Sequence, residues 1–141
     1  MFKKESASLL SLPLELTASQ HLCCTAKVGI YPAYFLIDTG ASHSCFAKEK
    51  HSAFGLELSA KKIQASAANK TAMDAQKSLA IGLSFGAHSM ELSFMVMDFE
   101  PINNSLAQYE VAAIDGILGA DFLLQTQAVI RYADRTMELQ F

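Results

Sequence analysis

The run Phe35-Leu36-Ile37 ends on Asp38 and then turns through Thr39-Gly40-Ala41-Ser42, and this does most to limit what the chain can fold into. Three bulky apolar residues in succession predict a buried strand. A carboxylate at its end is costly to hold unless hydrogen-bond donors surround it. The next residues supply donors: Gly40 lets its backbone N–H approach closely, and Thr39 and Ser42 carry hydroxyls. A solvated turn is the plain alternative, because Asp, Thr, Gly and Ser all form turns readily.

The rest of the chain reads as strands. Leu12–Thr17, Leu22–Val28 and Tyr34–Ile37 have strand character, with turn-prone residues at 18–20 and 29–32 between them. Ala47–Phe54 is helix-like and stops at Gly55, a favourable residue after a helix. Polar and apolar residues roughly alternate from Leu56 to Ala67, as in a half-exposed strand, and Asn69-Lys70-Thr71 forms a polar tip. Leu79–Phe85 and Met90–Phe99 form a second strand pair about Gly86-Ala87-His88. Pro101–Gln108 is a loop by composition, Ile114–Leu118 a buried strand, and Gly119–Gln127 a second helix with Asp121 suitably placed in its first turn. Ala128–Tyr132 and Thr136–Phe141 close the chain as strands. The expected class is mainly β with one or two short helices.

At 141 residues the chain fits one core, and 51% hydrophobic content argues for a folded domain. Net charge is −3 and the 11 Lys and Arg are scattered, so neither nucleic acid nor a membrane is an expected partner. The start Met1-Phe2-Lys3-Lys4 is followed by Glu5, Ser6, Ser8 and Ser11, which interrupt any secretory or spanning apolar run. Three cysteines without CxxC spacing suit a reducing compartment, and a cytoplasmic location is the expectation.

A second motif lies about eighty residues after the first: Ile117-Leu118-Gly119, then Asp121 and Leu123. Together with Asp38-Thr39-Gly40-Ala41-Ser42 it resembles the retropepsin-like, retroviral-type family of aspartic proteases over roughly residues 12–141. That resemblance implies a closed β-barrel acid-protease half-fold, active as a symmetric homodimer, with residues 1–11 as an N-terminal extension and 12–141 as the protease domain. It implies catalytic roles for Asp38, Thr39 and Gly40, support from Ala41, Ser42, Ile117, Leu118 and Gly119, and a substrate-binding flap at Ala68, Asn69, Lys70 and Thr71. Thr39 would bond across the two-fold axis, Ser42 would support the outer oxygen of Asp38, and the terminal strands would help to hold the dimer. No metal or organic cofactor is implied, and the partners are a second copy and a protein or peptide substrate.

The chain is too short for two lobes and carries one such motif, since Asp115-Gly116 lacks the intervening Thr. One carboxylate per chain, paired across a two-fold axis, follows. The rival reading is a catalytically quiescent retropepsin-like module for peptide binding or dimerisation, which a flap tip without glycine leaves open. Cys45 with His43 as a thiol nucleophile is weaker, because residues two apart on a strand share a face without necessarily meeting and no orienting group is identifiable. Cys23, Cys24, His43 and Cys45 as a zinc site is weaker because adjacent strand residues point to opposite faces. Ser42 and Ser44 lack the glycine spacing of a nucleophile elbow.

Overall fold

The computed structural model describes residues 8–64 and 74–141. Thirteen strands occur among them: β1 Leu9–Pro13, β2 Glu15–Leu16, β3 Leu22–Val28, β4 Tyr31–Ile37, β5 Cys45–Ala47, β6 Leu58–Gln64, β7 Asp74–Ser78, β8 Ile81–Phe85, β9 His88–Leu92, β10 Met95–Met97, β11 Gly116–Leu118, β12 Val129–Arg131 and β13 Thr136–Gln140. Two α-helices accompany them, α1 Glu100–Ala107 and α2 Ala120–Gln125. One sheet holds β1, β13 and β12 in that order, and the other runs β6-β7-β10-β5-β11-β4-β3-β8-β9, with β2 against β3. Among the described residues no helix is long and apolar enough to cross a membrane.

The β3–β4 hairpin shows how sequence sets burial. From Cys24 to Val28 inward and outward residues alternate, with Thr25 and Lys27 exposed, as a strand covered on one face requires. Gly29 takes φ +63° at the turn, which a residue with a Cβ rarely adopts. Towards the other end of the hairpin Leu22-Cys23-Cys24 and Phe35-Leu36-Ile37 are buried on both faces. There the sheet has a core on each side. Cys24, Phe35, Ile37 and Phe46 face the main core, whereas Cys23, Leu36 and Ala47 face a smaller one with Phe99, Leu106 and Ile114. In the main core Phe94 stacks on Phe35 at 5.9 Å and meets Phe46 at 5.5 Å.

Several expected elements are shorter or different. The stretch expected as a loop from Pro101 contains α1. Proline is tolerated in a first helical turn, where no helical acceptor awaits its missing N–H. Asp98 Oδ1 accepts the Glu100 N–H at 2.9 Å, and Phe99 and Leu106 enter the smaller core. Asn103 owes its place to a tertiary clip, not to a turn: its side chain accepts the Ile114 N–H and donates to the Ile114 carbonyl. The expected strand Met90–Phe99 is split after Leu92, where the chain stops pairing with β8 and β10 starts pairing with β5 and β7. Buried Ser78 holds that crossing, its N–H donating to the Phe94 carbonyl and its Oγ accepting the Phe94 N–H. Leu14, 6% exposed, interrupts the first expected strand, its N–H donating to the Arg135 carbonyl at 2.7 Å. The expected Ala47–Phe54 helix is one 3₁₀ turn, Lys48–Lys50, followed by turns to Gly55.

Candidate active site

The loop 38–44 leaves β4 and enters β5, and β11 is threaded between those two strands. β11 lies parallel to β4, with Ile117 opposite Leu36 and Leu118 opposite Ile37, and antiparallel to β5. This approach is close. A Cβ on Gly116 would come within 2.5 Å of the Phe35 ring and 2.8 Å of the Cys45 carbonyl oxygen. One on Gly119 would stand 2.6 Å from the Ala41 carbonyl oxygen. Both positions therefore require glycine.

The loop is bonded to the end of β11 and the start of α2. The Asp38 N–H donates to the Leu118 carbonyl at 3.0 Å, and the Ala120 and Asp121 N–H groups donate to the carbonyls of Ala41 and Ser42 at 2.7 and 3.3 Å. Ser44 is fully buried. Its N–H reaches both carboxylate oxygens of Asp121 at 3.0 Å, its hydroxyl donates to Asp121 Oδ1 at 2.7 Å, and the hydroxyl accepts the Gly119 N–H at 2.9 Å. Asp121 thus does more than complement the helix dipole: it anchors the loop. No spacing rule links one serine to an acid 77 residues away, so this contact had no signal in the sequence.

Asp38 is half-buried at the loop's entrance, and Gly40 N–H donates to its Oδ1 at 2.9 Å. Thr39 and Ser42 are exposed, and neither hydroxyl has a hydrogen-bond partner among the described residues. Asp38 borders a cleft of ≈ 440 Å³ walled by Leu36 and Ile117 from the sheet and by Pro101, Ile102, Ser105 and Leu106 from α1, with His21 also on the lining. The predicted residues Asp38 to Ser42 and Ile117 to Gly119 are brought together; Ala68, Asn69, Lys70 and Thr71 lie outside the described residues.

Asp115 occupies a different setting. Its Oδ2 accepts the Tyr34 N–H at 2.8 Å and its Oδ1 pairs with Lys50 Nζ at 2.6 Å, so it joins β4 to the turn after β5. Cys45 donates its thiol to the His43 carbonyl, not to the imidazole. Burial, then the Asp121 and Asp38 carboxylates, push that thiol up to about 11. Cys24 is raised to about 12, by burial first and then by Cys23. Such thiols are poor nucleophiles near neutrality. Among the described residues no three His, Cys, Asp or Glu side chains converge to hold a metal ion.

All three thiols are raised, Cys23 also by burial first, and this makes stability fall at alkaline pH, as Cys45 and Cys24 illustrate. The folded chain retains thiol protons that the unfolded chain releases from the ordinary value of 9.0, so their contribution is complete below that value and is lost as pH rises through about 11 and 12. The urea midpoint is expected to fall on going from about pH 8.5 to about pH 10.5, and to fall less in Cys24→Ala.

The aspartyl protease family matches residues 24–122. No curated protein matches the sequence. Among solved structures, the fold is similar to a retropepsin-like aspartic protease from Rickettsia conorii, with TM-score 0.64 and 16% identity over 99% of this chain and 97% of that one. It is similar to the retroviral protease-like domain of Ddi1 from Leishmania major, with TM-score 0.59 and 15% identity over 84% and 85% of the two chains. It also resembles an inhibitor-bound EIAV protease, with TM-score 0.53 and 15% identity over 77% and 90%. With the family matched from β3 through the start of α2, and both the acid-bearing loop and the strand threaded beside it inside that span, the chain belongs to the aspartyl protease family and has a retropepsin-like fold.

Proposed function

We propose that the chain is an aspartic endopeptidase that hydrolyses peptide bonds as a homodimer, through a water activated between two Asp38 carboxylates, one from each chain. The observation that carries this reading is a lone carboxylate, held by the Gly40 N–H, at the edge of a largely apolar cleft. Asp38 is the one carboxylate among the described residues lining that cleft. A two-carboxylate mechanism therefore needs a second copy, and two-fold symmetry supplies it.

Paired carboxylates at close range cannot both be ionised, so they share a proton, as aspartic proteases in general do. The ionised one takes a proton from the water that attacks the substrate carbonyl; the protonated one donates to the carbonyl oxygen. Thr39, exposed and without a partner in its own chain among the described residues, bonds across the axis, and Ser42 supports the outer oxygen of Asp38 in the assembled site. In this reading Ala68 to Thr71 take the substrate-binding role expected of a flap. Ala41 and Ile117 to Gly119 keep the loop in place, and no cofactor takes part.

The test is cleavage of a mixed peptide library between about pH 4 and 7 by wild type and by Asp38→Asn, with the solution mass of each measured at the same concentration. Cleavage that disappears in a variant still dimeric supports the reading. A well-formed wild-type dimer that cuts nothing replaces it with a peptide-binding or dimerisation module. A protein that stays monomeric at micromolar concentration overturns the two-chain site.

A further inference from the structure

The cleft beside Asp38 is not uniformly apolar. Leu36, Ile102, Leu106 and Ile117 give it hydrocarbon walls, and His21 is the only lining side chain besides Asp38, among the described residues, that can carry charge. The ring of His21 is held in a defined orientation by its own turn. Ser19 Oγ lies 2.7 Å from Nδ1, and Thr17 Oγ1 lies 2.8 Å from Ser19 Oγ. Thr17 Oγ1 also accepts the His21 N–H at 3.1 Å. With Nδ1 engaged, Nε2 has no partner among the described residues.

An apolar space with one oriented imidazole nitrogen suits a side chain that is a hydrocarbon ring ending in a hydrogen-bonding group. We propose that His21 is a specificity-determining residue, its Nε2 bonding the tip of the substrate side chain in this cleft, so that tyrosine is preferred to phenylalanine beside the scissile bond. The phenol meets either tautomer. If Nδ1 accepts from Ser19, Nε2 carries the proton and donates to the phenol oxygen; if Nδ1 donates, Nε2 accepts from the phenol hydroxyl. His21 is exposed at the cleft, so water competes and the discrimination is modest. This inference rests on the peptidase reading for its substrate and on the cleft for its residue.

The experiment uses two fluorogenic peptides identical except for Tyr or Phe at the residue whose carbonyl is attacked. A kcat/KM ratio of about five is expected for wild type, the size of one partly solvated hydrogen bond. The ratio should fall to about one in His21→Leu and recover in part in His21→Asn, which keeps a polar tip. A ratio unchanged in His21→Leu, or lost instead in Ser105→Ala, overturns the assignment. Binding of the same two peptides to Asp38→Asn separates this inference from the peptidase reading. About five-fold tighter binding of the Tyr peptide with no hydrolysis by wild type keeps His21 and rejects the enzyme. Equal binding together with no Tyr preference in hydrolysis rejects His21.

Discussion

Asp38→Asn is expected to lower peptide hydrolysis by at least about a thousand-fold, within the range that removal of general acid–base chemistry produces, while the fold survives. The substitution preserves shape. An amide oxygen at the Oδ1 position still accepts the Gly40 N–H, and the backbone bonds from Asp38 to Leu118 and from Ala41 to Asp38 involve no side chain. What is lost is a group able to take a proton from water and return it. Mixing the variant with an equal amount of wild type after subunit exchange adds a sharper test. If the site needs both carboxylates, random pairing leaves about one quarter of the dimers active, whereas a site complete within one chain leaves about half the activity. The initial rate of the equilibrated mixture, read against wild type alone at the same total concentration, distinguishes the two.

Asp121→Ala is the second large effect, and it acts on stability. The carboxylate serves the N–H and hydroxyl of Ser44, a residue with no exposed surface, and the Phe122 N–H besides. Removing it strands two buried donors on Ser44 at about 1–3 kcal/mol each. Asp121 also borders a second cleft of ≈ 410 Å³, through which water can reach the vacated space and recover part of that loss. About 3 kcal/mol is therefore expected, measured as a lower urea midpoint at unchanged slope, with Asp121→Asn in between because one acceptor oxygen remains. A loss below about 1 kcal/mol would mean that the Ser44 clamp does not hold the loop.

Legibility in the sequence followed the range of each interaction. The strand into Asp38 and its small-residue turn were readable because they depend on neighbours: three apolar residues, then an acid, then a glycine. The threading strand was readable because Ile117-Leu118-Gly119 forms a compact motif of its own. α1 was not. Its core-facing positions Ile102 and Leu106, with Phe99 just before it, are few, and Asn103 and Asn104 suggest a loop until Ile114 is seen to bond Asn103. The Ser44–Asp121 clamp and the Lys50–Asp115 pair were equally hidden, since each joins residues that only the tertiary fold brings together. Asp115 shows the same limit from the other side: its sequence excluded a second catalytic motif, but not until the Tyr34 and Lys50 contacts were visible did it acquire a role of its own.

The threading of β11 between β4 and β5 also fixes an order of events as the chain emerges from a ribosome. Both strands that flank β11 precede it, so the acid-bearing turn is synthesised long before the residues that brace it, the Ser44–Asp121 contact alone spanning 77 positions. Contacts of such long range form late in folding. Until Leu118 arrives, the Asp38 N–H lacks its acceptor, and until Asp121 arrives, Ser44 lacks its anchor. A nascent chain thus carries its acid on an unbraced loop until β11 and Asp121 have followed it.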